Sequence, residues 1–387
     1  MINEFKKLFS SSENVKTTFC PYRVCPLGAH IDHQYGVVTG FALDKGIRIM
    51  FCETNDGTVE AASKNFPEKI SFNVKDIPEF QGDWADYIRG AAYSLGKKYK
   101  LTKGVKALIE GTLPVGGLSS SAALILSFMS ALCDANGVEL TNKEKIYIAQ
   151  AAENEYVGVN CGKLDQSCEV LCKKDHLLFL DNKTDEYELI PQNPNMPPYE
   201  IAIIFSGVER TLVGSAFNMR VDELKSASYA LKAFVGMEYG KFKDSRLRDV
   251  PVEVFEEYKD KLPLNWAKRA THYYTEFERV KKGVEAWKNG DLVAFGKLMT
   301  ESGNSSIYNY ETGSDELKTI HEIMLETDGI YGGRFSGAGF KGCCVALINP
   351  EYKVSIKEKI TTEYLKNFPQ YKDTFSIHFC KSADGCK

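Results

Sequence analysis

Features typical of membrane, nucleic-acid-binding and secreted proteins are absent from this sequence. No stretch approaches 18 consecutive apolar residues, so we expect no membrane-spanning helix. Lysine and arginine total 48 against 52 aspartates and glutamates, and the net charge of -4 lacks the basic excess that nucleic-acid binding usually needs. The segment Met1–Phe19 has no apolar run like that of a signal peptide. We therefore expect a cytoplasmic protein that binds neither membranes nor nucleic acids.

Cysteine is present, but its spacing does not indicate disulfides or a metal site. The eleven cysteines are an odd number, and none of them belongs to a Cys-x-x-Cys motif. Cys343 and Cys344 are adjacent, whereas Cys168 and Cys172 are four residues apart, a spacing that puts both on one face of a helix. Reduced thiols in a cytoplasm fit this pattern best.

The 387 residues are more than one ordinary core needs and indicate two domains. No internal repeat or low-complexity tract is present, and four prolines interrupt regular structure between Pro191 and Pro198. Strands and helices do not alternate regularly, which favours an α+β fold over a doubly wound sheet. We place the domain boundary near residue 205, with an N-terminal domain of residues 1–205 and a C-terminal domain of residues 206–387.

Turn and periodicity signals predict individual elements. Gly46–Glu53 and Thr58–Ser63 flank Asn55-Asp56-Gly57, a tight-turn sequence that predicts a β-hairpin. Apolar residues at helical spacing predict a helix over Ser119–Asn136, which Gly137 ends. Other predicted elements are a strand around Val105, Ala107 and Ile109, helices at Asn142–Tyr156, Ser215–Met237 and Trp266–Lys288, and strands at Ile201–Phe205, Cys344–Ile348 and Phe375–Phe379.

The segment Leu113–Ala123 combines a predicted strand end, two glycines and a predicted helix start. Glycine lets the backbone approach a ligand closely, and unpaired amides with the positive dipole end stabilise an anion at a helix N-terminus. The three serines could donate from their hydroxyls or bind Mg²⁺ through oxygen. The structural alternative is a Gly-Gly turn followed by a serine cap. Neither Gly-x-x-x-x-Gly-Lys-Ser/Thr nor Gly-x-Ser-x-Gly is present.

The same segment resembles the central motif of the galactokinase–homoserine kinase–mevalonate kinase (GHMP) superfamily. Leu118-Ser-Ser-Ser-Ala122 is the most specific part of the match, and the loop is one residue shorter than the usual pattern. The resemblance implies that this loop holds the phosphates of ATP. The implied ATP-binding residues are Pro114, Gly116, Gly117, Leu118, Ser119, Ser120, Ser121 and Ala122.

The segment Pro21–His33 is similar to the sugar-binding signature of galactokinases. The matching positions are Arg23, Gly28, His30 and Asp32. A carboxylate such as Asp32 can accept hydrogen bonds from two adjacent sugar hydroxyls, and His30 adds a neutral donor or acceptor. The alternative is a metal site formed by His30, Asp32 and His33, although no further histidine or cysteine cluster completes its ligand shell.

Two more segments continue the resemblance in family order. Ala152–Gln166 resembles the segment with the magnesium ligand and the catalytic aspartate, which implies that Glu153 binds Mg²⁺ with Ser121. It also implies that Asp165 faces the reacting hydroxyl, with Arg23 as its ion-pair partner. Phe335–Cys343 is similar to the glycine-rich motif that packs beside the phosphate loop, here Gly337, Ala338, Gly339 and Lys341. Weaker similarity lies in Phe217–Arg220 and in Arg269 to His272, with Glu276 and Arg279.

The resemblance covers nearly the whole chain and implies a two-domain GHMP kinase fold. That fold has an N-terminal lobe like domain 2 of ribosomal protein S5, a ferredoxin-like C-terminal lobe and an active site in the cleft. It implies an ATP- and Mg²⁺-dependent kinase for the C1 hydroxyl of a galactose-type sugar, with ATP and sugar as small-molecule partners of a monomer or weak dimer. The alternatives are a sugar-sensing regulator without turnover and a small-molecule decarboxylase of the superfamily. A regulator should lack a catalytic group, but Arg23, Ser121, Glu153 and Asp165 are all present. The sugar signature argues against the decarboxylase.

The identity of the sugar depends on three positions. Ala29 stands where galactokinases have a glutamate that contacts the outer hydroxyl, and Lys163 and Lys341 lie inside motifs that usually lack lysine. Fewer negative and more positive charges suit a substrate with a carboxylate at C6, and the pattern is similar to plant-type galacturonokinases. We therefore expect Ala29, His30, Asp32 and Lys163 to bind D-galacturonate, with D-galactose as the alternative.

Overall fold

The computed structural model of the protein describes residues 1–9, 14–208 and 214–386. Helices and strands are mixed along the chain, which confirms the predicted α+β class. The strands are β1 (Lys16–Val24), β2 (Val37–Thr54), β3 (Thr58–Ser63), β4 (Ile70–Asn73), β5 (Gly104–Gly111), β6 (His176–Asp181), β7 (Tyr187–Pro191), β8 (Glu200–Phe205), β9 (Ile330–Phe335), β10 (Cys343–Ile348), β11 (Ser376–Cys380) and β12 (Ser382–Ala383).

The helices fall close to the predicted ranges where a prediction exists. They are α1 (Ile2–Phe9), α2 (Asp86–Gly96), α3 (Ser120–Asn136), α4 (Asn142–Ala151), α5 (Leu164–Leu171), α6 (Gly214–Phe234), α7 (Val252–Tyr258), α8 (Leu264–Lys288), α9 (Leu292–Tyr308), α10 (Asp315–Leu325) and α11 (Lys353–Asn367). The predicted helix over Asn142–Tyr156 is α-helical only to Ala151 and continues as a π-helix over Ala152–Val157. No helix in the described ranges has the length and apolar character needed to cross a membrane.

The first sheet forms the scaffold for the loop after β5. Its strand order is β4-β3-β5-β2-β6-β7, with β1 and β12 also paired to β2. Helix α3 packs on β1, β2 and α2, and nearly all of its apolar side chains are buried. Because a buried helix cannot shift without exposing this apolar surface, the start of α3 is a rigid platform.

The predicted hairpin between Gly46–Glu53 and Thr58–Ser63 is wrong. Both strands exist, but β5 lies between them, antiparallel to β2 and parallel to β3. The turn at residues 55–57 therefore reverses the chain without pairing its flanking strands. Gly104 at the start of β5 makes this possible, since a Cβ there would lie 2.1 Å from the Thr58 carbonyl oxygen.

The second sheet has the order β11-β8-β10-β9; α10 packs against β9 and β10, and α11 shares an apolar cluster with the sheet. Strand β8 pairs with β10 and β11, although it lies on the N-terminal side of the predicted boundary. Strand β12, close to the C-terminus, returns to pair with β2 of the first sheet. The domain boundary near residue 205 stays a prediction. These strand pairings favour a domain boundary before Glu200.

We predict that Gly104→Ala destabilises the protein by roughly 1–3 kcal/mol, because the added methyl group overlaps backbone that cannot move independently. The lowered midpoint should appear in urea unfolding followed by circular dichroism. Gly96→Ala is the matched control, since its nearest non-neighbour atom is Leu101 Cδ1 at 3.9 Å. Helix propensity should make that control neutral or more stable by up to about 1 kcal/mol. Equal stability of Gly104→Ala and the wild type would contradict the proposed close packing.

Candidate active site

The loop between β5 and α3 has a backbone that few residues other than glycine adopt. Gly116 and Gly117 have φ angles of +129° and +82°, and Ser119, the residue before α3, is also left-handed with φ 61°. The Ser119 side chain does not cap the helix, and its Oγ is buried without a partner among the described residues. The structural alternative of an ordinary serine cap is therefore wrong at Ser119, which leaves the helix start available to a ligand.

The glycine-rich segment after β9 packs directly against this loop, as the sequence resemblance implies. A Cβ on Gly337 would lie 2.8 Å from Gly117 Cα, and one on Gly342 would lie 2.8 Å from the Gly116 carbonyl carbon. The two segments come from the two halves of the chain. Their backbones can touch only because neither carries a side chain at these points.

An ion pair joins the sugar signature to the segment that follows the π-helix. Arg23 Nε donates to Asp165 Oδ1 at 2.7 Å, and Arg23 Nη1 donates to the Gly117 carbonyl oxygen at 3.2 Å. The Arg23 side chain is only 4% exposed, whereas Asp165 is 26% exposed at the start of α5. Burial disfavours the guanidinium charge, but Asp165 more than compensates, and the pKa of Arg23 is raised. One buried cation thus links the predicted catalytic carboxylate to the phosphate loop.

The turn at residues 28–30 is held by helix α8 of the second half. Gly28, with φ +97°, donates its amide hydrogen to Glu276 Oε1 at 2.7 Å, and His272 Nε2 donates to the Ala29 carbonyl oxygen at 3.0 Å. His272 Nδ1 then accepts from Ser305 Oγ at 2.9 Å. Burial lowers the pKa of His272 to about 4, so its ring is neutral in this role.

Glu276 lies at the centre of a buried charge network beneath this turn. It accepts from Arg279 at 2.7 Å and from Arg334 at 3.4 Å, and Ser302 also donates to it. Burial alone would raise the pKa of Glu276, but Arg279 and Arg334 lower it to about 2. The weak similarity that the sequence showed at His272, Glu276 and Arg279 thus belongs to residues that position the sugar signature.

A cleft of about 140 Å³ brings together most of the predicted site residues. Those that line it are Arg23, Ala29, His30, Asp32, Gly117, Ser119, Ser120, Ser121, Glu153, Asp165, Gly337 and Ala338. His30 is left-handed with φ 67° and stacks on Tyr310 with ring centroids 4.4 Å apart. Its Nε2 is buried without a partner among the described residues, and burial lowers its pKa well below the usual range. A neutral imidazole therefore faces the cleft.

Asp32 faces the same cleft from the 3₁₀ turn at Asp32–Gln34. Its Oδ2 accepts from the Leu164 amide at 3.4 Å, and a Cβ on Gly162 would lie 2.2 Å from that oxygen. Burial, followed by the negative charge of Asp165, raises the pKa of Asp32 to about 6. Asp32 is thus ionised at neutral pH but close to its titration range.

Glu153 and Ser121 both face the cleft, from the π-helix and from the first turn of α3. The Glu153 side chain is buried, and its Oε2 accepts from Gln166 Nε2 at 2.6 Å and from Cys161 Sγ at 3.4 Å. A carboxylate and a hydroxyl oxygen are the ligand types that Mg²⁺ prefers, so the two residues fit this ion. By contrast, no group of three or more potential ligands suited to a metal, including His30, Asp32 and His33, is found among the described residues.

The two lysines predicted to face a substrate carboxylate lie outside the cleft. Lys163 forms an ion pair with Asp185, hydrogen-bonds the Tyr147 hydroxyl at 3.1 Å, and lines a neighbouring cavity. Lys341 lies in a small cavity beside Gly116, on the side of the phosphate loop. Sequence spacing put both lysines inside the site motifs, but it could not show towards which side their long side chains extend.

The sequence did not predict a larger cavity of about 660 Å³ next to the phosphate loop. Loop residues that line it are Pro114, Val115, Ser120 and Ser121. Phe66 and Trp84 also line it, with stacked rings whose centroids are 5.8 Å apart. Tyr310, which stacks on His30, was missed as well. No local pattern marks these aromatic residues, because they come from separate parts of the chain.

Several curated relatives match nearly the whole chain, among them the following two. A galacturonokinase from Arabidopsis thaliana is 35% identical, with 96% of this chain and 93% of that protein covered. A galactokinase from Clostridium acetobutylicum is 34% identical, with 100% of this chain and 98% of that protein covered.

Structure and family comparisons agree with these relatives. The crystal structure of Lactococcus lactis galactokinase complexed with galactose matches with a TM-score of 0.90 and 28% identity over 100% of this chain and 98% of that one. The family models for the GHMP kinases N terminal domain and the GHMP kinases C terminal match residues 86–173 and 283–367. The two-domain fold implied by the sequence is therefore confirmed, and the chain belongs to the galactokinase family of GHMP sugar kinases.

Proposed function

We propose that the protein transfers the γ-phosphoryl group of ATP to the C1 hydroxyl of D-galacturonate. The observation that carries the choice of sugar is Ala29, which lines the cleft beside His30 with a methyl group where galactokinases have a carboxylate. Among the relatives, one is named galacturonokinase and others are named galactokinase, so the family alone leaves both sugars open.

The geometry supports one arrangement of the two substrates. Phosphates on Gly116–Ser121 would meet the amides at the start of α3, and the cavity with Phe66 and Trp84 has the size and apolar surface for the base of ATP. The sugar would then occupy the smaller cleft with His30 and Asp32. Asp165 borders this cleft, next to the loop.

Phosphoryl transfer depends more on positioning and charge neutralisation than on covalent chemistry. Asp165 would accept or polarise the proton of the C1 hydroxyl, and Arg23, bonded to both Asp165 and the Gly117 carbonyl, would hold it in place and balance developing negative charge. Ser121 and Glu153 would hold Mg²⁺, which when bound neutralises phosphate charge. The bond from Arg23 Nε to Asp165 Oδ1 would thus fix the direction in which this carboxylate meets the hydroxyl.

A substrate carboxylate explains why a carboxylate would be absent at position 29. Two negative charges about 4 Å apart repel by about 4 kcal/mol at an effective dielectric constant of 20. That exceeds the roughly 1 kcal/mol that an ordinary hydrogen bond contributes. Lys163 and Lys341 lie outside the cleft and therefore do not support the uronic acid. The main support is that Ala29 adds no negative charge that would repel a substrate carboxylate. A second support is His30 Nε2, which has no partner among the described residues.

We expect kcat/KM to be higher for galacturonate than for galactose when ADP formation is measured over a panel of hexoses and uronic acids. Ala29→Glu should lower kcat/KM for galacturonate by roughly 10²–10³-fold through charge repulsion. Ala29→Gln is the matched control, because it adds almost the same volume without the charge and should cost galacturonate less. A clear preference of the wild type for galactose would refute the uronic acid, and equal losses in both variants would show that size alone matters.

Asp165→Asn should keep the fold at a cost in stability, because the amide oxygen can still accept the Arg23 hydrogen bond but no longer balances the buried guanidinium charge. Its kcat should fall roughly 10²–10⁴-fold or more, the usual scale for a positioned base. Single-turnover phosphorylation with the preferred sugar measures this loss, and circular dichroism checks the fold. Near-normal turnover of the variant would show that Asp165 is not the partner of the hydroxyl. If the wild type itself showed no turnover, the protein would be a regulator rather than a kinase.

Sugar binding should depend on the ionisation of Asp32. Its pKa of about 6 means that the carboxylate is lost as the pH falls through 6, so kcat/KM should drop about tenfold per unit below that pH. Asp32→Asn should have a lower kcat/KM at pH 7.5 and lose this acidic limb. Asp134→Asn, an exposed carboxylate outside the cleft, is the control and should keep the wild-type profile. If the activity of Asp32→Asn fell at low pH as it does in the wild type, the acidic limb would belong to another ionisable group.

A further inference from the structure

A second polar cavity, which the proposed reaction does not use, lies against the sugar cleft. It has a volume of about 270 Å³, and Asp32 and Cys161 line both it and the cleft. Four cationic side chains line the second cavity, namely Lys163, Lys183, Lys225 and Arg246, and His33 of the sugar signature lines it as well. We call it the basic cavity.

Two of these four cations are neutralised within the protein. Lys163 pairs with Asp185, and Lys183 pairs with Asp249 at 2.8 Å. The other two are different. Among the described residues, neither Lys225 nor Arg246 forms an ion pair at a nitrogen–oxygen distance of 4.0 Å or less.

Arg246 is held in place without a carboxylate. Its Nη1 donates to the Lys243 and Ser245 carbonyl oxygens at 2.7 and 2.9 Å, and its guanidinium lies 5.0 Å from the centre of the Tyr35 ring. Its Nε is buried and has no partner in the described part of the chain. A fixed guanidinium with an unused donor loses little conformational entropy when it binds an anion.

Lys225, on α6, lines the basic cavity together with Arg246. Burial and then the Arg246 charge lower the pKa of Lys225, although Asp222 and Asp244 act in the opposite direction. Burial, followed by the charges of Arg246 and Lys225, lowers the pKa of His33 to about 3, so its ring is neutral. Lys225 and Arg246 thus repel each other, and an anion bound between them would relieve this repulsion.

We propose that the basic cavity binds a small phosphate-bearing molecule between Lys225 and Arg246. A phosphate monoester carries about -1.5 to -2 charges at neutral pH and can neutralise both cations at once, which a single carboxylate cannot. Side chains with hydroxyl and amide groups, such as Tyr35, Tyr147 and Asn160, line the rest of the wall and suit a hydroxylated ligand. The volume is near the lower end of small-molecule pockets, which run from roughly 300 Å³.

The phosphate could be free or carried on a sugar, and calorimetric titration distinguishes the two sources. The full-length protein is first saturated with Mg²⁺ and a non-hydrolysable ATP analogue, so that the phosphate loop cannot bind the probe. Inorganic phosphate and galactose 1-phosphate are then titrated separately at constant ionic strength, because salt screens such contacts. Saturable binding of either probe is expected, and the tighter probe identifies the source.

Substitutions locate the site. Lys225→Met with Arg246→Met should weaken binding of the tighter probe at least tenfold, whereas Lys243→Met, which removes an exposed lysine outside the basic cavity, should change it less than twofold. Lys225→Met and Lys225→Arg provide a milder pair, in which arginine should retain most of the binding. The absence of saturable binding in the wild type, or equal affinity in the double variant, would overturn the proposal. Both results are independent of which sugar is phosphorylated, since no turnover is measured.

Discussion

The predicted active site depends on one buried cation, Arg23, which joins the sugar signature to two other segments of the chain. Its guanidinium bonds Asp165 at the start of α5 and the carbonyl of Gly117 in the phosphate loop, while its own amide donates to the Leu118 carbonyl at 3.3 Å. Removing one partner of a buried ion pair leaves an uncompensated charge, at a cost of roughly 3–5 kcal/mol. The pair therefore keeps the carboxylate, the loop and the sugar signature at fixed distances.

The second half of the chain contributes position rather than chemistry to the sugar end of the cleft. Glu276, fully buried between Arg279 and Arg334, holds the Gly28 amide, and His272 holds the Ala29 carbonyl. Because Gly28 has a left-handed backbone and would clash with Val38 if it carried a Cβ, the turn has little freedom once these bonds form. Both halves must be folded together for His30 and Asp32 to face the same cleft.

Much of this arrangement could be predicted because the informative residues are close in sequence. The phosphate loop, the signature and the segment around Asp165 each lie within about fifteen consecutive residues, and local rules for glycine and helix starts apply to them. The predictions failed where the answer depended on distant residues. The Asn55-Asp56-Gly57 turn could not reveal that β5 lies between its two strands, and Lys163 extends to Asp185 in a separate cavity.

By itself the sequence determined the α+β class and the family, and it predicted the phosphate loop, the sugar signature and the reacting carboxylate, because each rests on local backbone chemistry or on an ordered motif. Only the tertiary structure decided which side chains share a cleft. It separated Lys163 and Lys341 from the cleft, brought Phe66 and Trp84 to the cavity beside the loop, and put Lys225 and Arg246 in one cavity. The physical reason is that long side chains and aromatic rings are directed by packing and by charge partners far away in sequence, which no local pattern records.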